Sequence, residues 1–113
     1  MTFVINKVEL PSSEIGWEFE GWQYGDTNVS FLLIDAPPGS GSQLHSHPYE
    51  EIFVVQEGQV TFTIGEATLE ATSGQIVIAP AGVPHKFVNS GMGPLRQIDI
   101  HPVPRMITTW LPD

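Results

Sequence analysis

The 113-residue chain contains no cysteine. This absence excludes a disulfide scaffold, a thiolate zinc site, a cysteine nucleophile and an iron–sulfur cluster. Basic residues are also scarce, since four Lys and Arg stand against thirteen Asp and Glu and leave a net charge of −9. Contacts to nucleic-acid phosphates and to anionic lipids both need Lys and Arg. We therefore expect neither a nucleic acid nor a membrane as a partner.

Long hydrophobic runs are missing as well. The longest runs, such as residues 31–34, cover only four residues, far too few to cross a bilayer. The first twelve residues lack the basic start and apolar run of a signal peptide. We therefore expect a cytoplasmic protein. The length is that of one compact domain, which we place over residues 1–113.

The residues that are abundant indicate short strands and turns. Apolar and polar residues alternate at 17–20 and 60–64, which is the period-two pattern of a half-buried strand. Many of the eleven glycines and ten prolines fall between such stretches and mark turns about every 8 to 12 residues. No long helical periodicity precedes Pro104. The sequence therefore predicts an all-β fold, an antiparallel sandwich or barrel.

Three of the four histidines and one glutamate form a candidate metal site. His45 and His47 are two residues apart, so in a strand both imidazoles face the same side. Glu51 opens the next predicted strand, and His85 follows a proline-rich turn later in the chain. Three imidazole nitrogens and one carboxylate suit one divalent Fe, Mn, Ni, Zn or Cu ion. On an octahedral ion, four protein ligands leave two positions open, as a catalytic site requires.

The spacing around these four residues resembles the two motifs of the cupin family. The first motif is Gly, five residues, His-X-His, three or four residues, Glu, six residues and Gly, and it fits residues 39–58. The second is Gly, five residues, Pro-X-Gly, two residues, His, three residues and Asn, and it fits residues 74–89. The resemblance implies a double-stranded β-helix, or jelly-roll, barrel that holds a metal at its mouth through the same four side chains. It also implies a homodimer, since small cupins commonly pair.

Residues 95–101 form a further predicted strand in which Gln97, Asp99 and His101 share one face. Periodicity alone places this polar face in solvent and the alternating isoleucines in the core or in a dimer contact. A weaker resemblance points the other way. Some small cupins that open the ring of unsaturated uronates in pectin and alginate breakdown end in a similar strand. That resemblance implies Asp99 as general acid or base, His101 in place of an aromatic residue, and Arg105 as the clamp for a substrate carboxylate.

Two classes of function remain open. The first is a metal-dependent enzyme acting on a small organic molecule at the barrel mouth. It would perform either an O₂-dependent, dioxygenase-like oxidation or non-redox isomerase or lyase chemistry in which Asp99 or His101 moves a proton. The second is a non-catalytic module that binds a small, sugar-like molecule and keeps a structural or vestigial metal site. The fold does not decide between them, because cupins include oxygenases, isomerases, lyases and binders.

Overall fold

Eleven short strands form most of the regular structure in a computed structural model that describes residues 4–113. They are β1 (Ser12–Ser13), β2 (Gly16–Glu20), β3 (Ser30–Ala36), β4 (His45–Ser46), β5 (Glu51–Glu57), β6 (Gln59–Ile64), β7 (Ala67–Thr72), β8 (Ile76–Ala79), β9 (His85–Asn89), β10 (Leu95–His101) and β11 (Thr109–Trp110). Single 3-10 turns, Lys7–Glu9 and Gly21–Gln23, precede β1 and follow β2. The first three residues of the predicted 1–113 domain lie outside the described part.

The strands form two antiparallel sheets of interleaved connectivity. The larger sheet has the order β1-β2-β3-β10-β5-β8, and the smaller has the order β11-β4-β9-β6-β7. Strands far apart in sequence are therefore neighbours, as in the pairing of β10 with both β3 and β5. This arrangement confirms the prediction of an all-β jelly-roll barrel, and the alternating segments at 17–20 and 60–64 lie in β2 and β6. Among residues 4–113, the structure contains no helix long and apolar enough to cross a membrane.

The space between the sheets is apolar at one end and polar at the other. The apolar end is packed around Phe53, Phe62 and Phe87, whose ring centroids lie 4.8 to 6.4 Å apart. Aromatic rings at such separations contribute packing beyond the area that they bury. At the other end, where β5 and β9 begin and β10 ends, the inward side chains are charged or polar. The fold therefore gathers its buried polar groups at one mouth of the barrel.

Glycines supply two of the turns that hold this geometry. Gly58 joins β5 to β6 with φ 96°, and Gly74 precedes β8 with φ 89°. Both angles lie in the left-handed region that favours glycine. A Cβ on Gly58 would also lie 2.5 Å from the carbonyl oxygen of Pro94. Both turns therefore depend on glycine.

Strand β10 corrects the expectation drawn from periodicity. Gln97, Asp99 and His101 point into the barrel and are 2% exposed or less, whereas Ile98 and Ile100 are only partly buried on the outer side. The polar face is inside because it completes the polar mouth formed by the neighbouring strands. Alternation identified the strand and its two faces correctly, but assigned them to the wrong sides.

Candidate metal centre

Strands β4, β5 and β9 bring the four sequence-predicted metal ligands together at the barrel mouth. His45 in β4 is paired with His85 in β9 across adjacent antiparallel strands. His47 follows β4 directly, and Glu51 is the first residue of β5. One ligand atom from each residue lies within 4.8 Å of the others. All four side chains are buried, with exposed fractions of 2 to 8%.

Main-chain carbonyls fix the orientation of the three imidazoles. In each ring, Nδ1 lies 2.6 to 3.0 Å from a carbonyl oxygen: that of Gln43 for His45, that of Ile107 for His47 and that of Val83 for His85. A carbonyl oxygen can only accept, so each Nδ1 carries the proton and donates it. Each Nε2 of a neutral ring is then left with a free lone pair. This tautomer is the one that a metal ligand requires.

The free nitrogens converge on one oxygen of Glu51. Glu51 Oε1 lies 3.0 Å from Nε2 of His47, 3.0 Å from Nε2 of His85 and 3.9 Å from Nε2 of His45. If the rings are neutral, lone pairs on nitrogen and oxygen face each other here, which is unfavourable in a buried site. A cation bound among these atoms removes the repulsion, and three nitrogens with one carboxylate suit a divalent transition metal. The residues present therefore fit such an ion.

The electrostatic environment keeps Glu51 charged and His45 neutral. Burial by itself would raise the pKa of Glu51, but contacts with His101, His47 and His85 outweigh it and hold that pKa well below the usual range. Burial lowers the pKa of His45. Burial also opposes the charged form of His85, yet its contact with Glu51 prevails and raises the pKa of His85. An ionised carboxylate and a neutral imidazole are the forms that bind metals.

A second layer supports Glu51 from its other side. His101 Nε2 lies 3.1 Å from Glu51 Oε2, and His101 Nδ1 lies 2.7 Å from Tyr49 Oη. The Tyr49 hydroxyl accepts from the main-chain N–H of Ile107 at 3.2 Å, so its own hydrogen is free to be donated to His101. The His101 proton then resides on Nε2, facing Glu51, although the contact is too poorly aligned for a good hydrogen bond. Sequence reasoning assigned no role to Tyr49, whose only signal was its position two residues after His47.

Asp99 lies fully inside the barrel, beside the four candidate metal ligands. Burial is the larger cause and repulsion from ionised Glu51 the smaller, and together they raise the pKa of Asp99 well above its usual value. A hydrogen bond from Gln97 has the opposite, weaker effect. In that bond Gln97 Nε2 donates to Asp99 Oδ1 at 2.9 Å. The site therefore favours the protonated carboxylic acid, which has a proton to donate.

A pocket of about 540 Å³ opens over these groups. Its walls are largely apolar, with contributions from Trp17, Leu32, Ile34, Phe53, Phe87, Met106 and Trp110. Four acidic side chains also line it: Glu14, Glu18, Glu51 and Asp99. Among the residues that the structure describes, no Lys or Arg does so.

Arg105 does not reach this pocket. Its guanidinium lies 4.0 Å from the centroid of the Trp22 ring, and both side chains are exposed. A hydrogen bond from the main-chain N–H of Trp22 to the carbonyl oxygen of Pro104 ties this segment to the turn after β2. The chain therefore carries Arg105 outward after β10. The carboxylate clamp implied by the uronate resemblance is not part of the pocket.

Comparison with known proteins agrees with this architecture. A family model described as a cupin domain matches residues 32–101. The H2HPP isomerase of Bacillus subtilis is 34% identical over 91 residues, which cover 76% of this chain and 38% of that protein. The chain spans between 38% and 59% of the length of three curated relatives that it matches.

Solved structures share the fold at low sequence identity. A conserved protein with a double-stranded beta-helix domain from Klebsiella pneumoniae has a TM-score of 0.77 at 19% identity, with complete coverage of both chains. An oxalate decarboxylase formate complex from Lactobacillus farciminis has a TM-score of 0.81 at 21% identity, covering 92% of this chain and 34% of that one. The family match extends over more than half of the chain and includes all four candidate ligands. On these grounds the chain belongs to the cupin family.

Proposed function

We propose that this protein is a metal-dependent enzyme that moves a proton on a small organic molecule, as an isomerase or lyase does. The observation that carries the proposal is that Glu51 and the buried acid Asp99 line the same pocket. The chain's resemblance to an isomerase and to a decarboxylase supports the same class of chemistry. A buried carboxylic acid at the pocket supplies the proton that isomerase or lyase chemistry requires, so we favour proton transfer over the dioxygenase-like alternative.

The metal would be held by His45, His47, Glu51 and His85, whose donor atoms already converge. One divalent transition metal bound there would act as a Lewis acid and polarise an oxygen of the substrate. The chain supplies the rest of the chemistry. The main-chain carbonyls hold the imidazoles in the tautomer that can bind, and the surrounding burial keeps bulk water away from the ligands.

Asp99 is the group that we assign to proton transfer. Gln97 donates to its Oδ1, so Oδ2 remains free to carry the transferable proton. A carboxyl group with a raised pKa is suited to give and retake a proton near neutral pH. His101, held between Tyr49 and Glu51, acts instead as a positioning residue for the metal-binding carboxylate. This replaces the proton-carrier role that sequence reasoning left open for His101.

The charge of the pocket limits the substrate class. A divalent ion and ionised Glu51 together carry one positive charge, which a singly charged anion would neutralise, and the acidic side chains of Glu14 and Glu18 on the pocket wall oppose any further negative charge. A dianion would leave an unbalanced buried negative charge, which is costly, and no Lys or Arg of the described chain lines the pocket to offset it. The apolar walls favour a substrate with a hydrophobic part. We therefore infer a small molecule with an apolar or aromatic body and at most one negative charge, such as an aromatic 2-oxo acid.

The proposal can be tested with protein purified without added metal or a nickel column. Elemental analysis should find about one transition metal per chain, and a His47→Ala variant should lack it. Phenylpyruvate in D₂O then serves as the probe, with NMR following deuterium incorporation at the carbon next to the carbonyl. We expect exchange above the buffer rate, reduced roughly 100-fold or more in Asp99→Asn, which should keep its metal. Asp35→Asn, a change at a partly exposed carboxylate in β3, is the matched control.

Four results would contradict the proposal, each in a different way. Failure to retain iron, manganese, nickel, copper or zinc after reconstitution would leave a binding module. Oxygen consumption with the probe, without deuterium exchange, would favour oxidation. Equal exchange by wild type and Asp99→Asn would remove Asp99 from proton transfer. Faster turnover of oxalate than of phenylpyruvate would refute the inferred substrate class.

A further inference from the structure

The inner side of the larger sheet carries a second acidic side chain on the same side as Asp99. Strand register places Glu18 of β2 opposite Leu32 of β3, and Leu32 opposite Asp99 of β10. Residues directly opposite on neighbouring strands point to the same side of a sheet, and all three side chains line the pocket. The backbones of Glu18 and Asp99 are two strand spacings of about 4.8 Å apart. A small substrate lying over Leu32 would therefore have a carboxyl group on each side.

Glu18 is the one ionisable group of the pocket left to accept a proton among residues 4–113. The other ionisable side chains that line the pocket are Glu14, His45, His47, Glu51, Asp99 and His101. Both of the listed histidines at 45 and 47, and Glu51, are candidate metal ligands. The raised pKa of Asp99 favours its protonated form, and Nδ1 of His101 is occupied by the Tyr49 hydroxyl at 2.7 Å. Glu14 lies in the exposed turn between β1 and β2.

We propose that Glu18 is the general base that works opposite the acid Asp99, an inference that rests on the proposed function. With an aromatic 2-oxo acid, the Glu18 carboxylate removes a proton from the carbon next to the carbonyl. The electron pair of that C–H bond forms the carbon–carbon double bond of the enol, and the carbonyl oxygen takes the proton of Asp99. In the reverse step the enol hydroxyl returns its proton to Asp99, and Glu18 returns a proton to the carbon.

The two carboxyl groups lie in surroundings that suit opposite roles. Asp99 is fully buried, whereas Glu18 is partly exposed, so water solvates the ionised form of Glu18 and exchanges with the proton that it takes up. Burial, and to a smaller extent Glu20, raise the pKa of Glu18 against the opposing effect of His101. Its carboxylate is therefore a stronger base than a fully exposed one. Two acids whose surroundings differ in this way divide naturally into an acid and a base.

Deuterium exchange into phenylpyruvate by the metal-loaded protein tests this assignment. Glu18→Gln keeps the size of the side chain but removes the base, so exchange should fall roughly 100-fold or more, mainly in kcat. The metal content should stay that of wild type, because Glu18 is not among the four candidate ligands. Glu18→Asp keeps the charge and should retain part of the exchange. Glu70→Gln removes one carboxylate at an exposed position of β7 and is the matched control, with the wild-type rate expected.

Alkylation provides a second test that does not depend on turnover. In 3-bromopyruvate, the bromine is bound to the carbon from which the base would take a proton. An oxygen of the Glu18 carboxylate should attack that carbon, form an ester bond and release bromide. Thiolates, which are stronger nucleophiles, cannot compete because the chain has no cysteine. Peptide mass spectrometry should place the ester on Glu18, whereas the exposed Glu70 should stay unmodified.

Failure of this inference and failure of the proposed function give different results. If wild type exchanges no deuterium, the proposed function fails and the assignment of Glu18 fails with it. If exchange is lost in Asp99→Asn but unchanged in Glu18→Gln, only the assignment of Glu18 is overturned. Esters on other carboxylates and none on Glu18 would overturn it as well.

Discussion

His101 Nε2 lies 3.1 Å from Glu51 Oε2, whereas the other carboxylate oxygen, Oε1, lies 3.0 Å from Nε2 of His47 and of His85. The two oxygens of Glu51 therefore face different groups. One is directed at the candidate metal ligands and the other at a supporting imidazole. A carboxylate held from behind in this way presents a single oxygen to an ion, and such supporting contacts orient a ligand and tune its affinity.

The hydrogen-bond pattern predicts two different histidine tautomers in this one cluster. At about pH 8, above the ordinary pKa of histidine, neutral His45 and His47 should carry their proton on Nδ1, because each Nδ1 faces a carbonyl oxygen. His101 should carry it on Nε2, because the Tyr49 hydroxyl donates to Nδ1. Long-range ¹H–¹⁵N correlation spectra of the metal-free protein distinguish the two forms.

Tyr49→Phe provides the comparison for this tautomer prediction. The variant loses the donor to His101 and should shift only that ring toward a mixture of tautomers, while His45 and His47 keep their spectra. Loss of the partly buried hydrogen bond to His101 and of the exposed one from Ile107 should also cost about 1 kcal/mol of stability. An Nδ1–H tautomer of His101 in the wild type would show that the Tyr49 hydroxyl accepts rather than donates.

Asp99 should make the metal-free protein less stable as the pH rises. Its pKa is raised by burial and by Glu51, so the folded protein binds this proton more tightly than the unfolded chain, whose pKa is about 3.9. The free energy of unfolding therefore falls from that pH up to the folded-state pKa. Asn cannot titrate, so Asp99→Asn should exceed wild type in stability at neutral pH, by about 1.4 kcal/mol for each unit of the shift.

Urea unfolding with a chelator present, at about pH 4.5 and 7.5, measures this difference. The advantage of Asp99→Asn should be small at the lower pH and large at the higher one. Other titrating groups are common to both proteins and largely cancel. Asp35→Asn, at a partly exposed carboxylate beside Arg96, is the control variant. An advantage of Asp99→Asn that is equal at both values would contradict the raised pKa.

We expect Asn89 to have a structural role. Its position in the second motif does not by itself decide between a structural and a functional role. Its Nδ2 donates to the carbonyl oxygens of Ala36 and Gly93, each at 2.9 Å, and its Oδ1 accepts from the N–H of Gly91. Replacing the 2% exposed side chain by Ala leaves three main-chain groups without this partner. We expect Asn89→Ala to lose about 3 kcal/mol in urea unfolding.

The metal content of the Asn89→Ala protein serves as the second readout. Under conditions in which the variant remains folded, it should match that of wild type, because Asn89 is not one of the four candidate ligands. Asn28→Ala, at an exposed position, should change stability by no more than about 0.5 kcal/mol. A folded Asn89→Ala protein without metal would instead make the residue part of the metal site.

Local chemistry explains why the ligand set could be identified in advance. His45 and His47 share a strand face through their spacing alone, and the motif glycines Gly58 and Gly74 supply the positive φ that their turns need. Tyr49 and His101 show the opposite case. They are 52 positions apart in the sequence, and no local pattern predicts that they meet.

The sequence by itself determined the strand periods, the turns and the metal-ligand types, because these depend on residue chemistry and on spacing along a few residues. Only the tertiary structure decided which face of β10 lies inside and that Arg105 lies outside on Trp22. The two faces of an alternating strand are equivalent until a second sheet covers one of them. Which one is covered depends on the pairing of β10 with β3 and β5, partners that lie far from it along the chain.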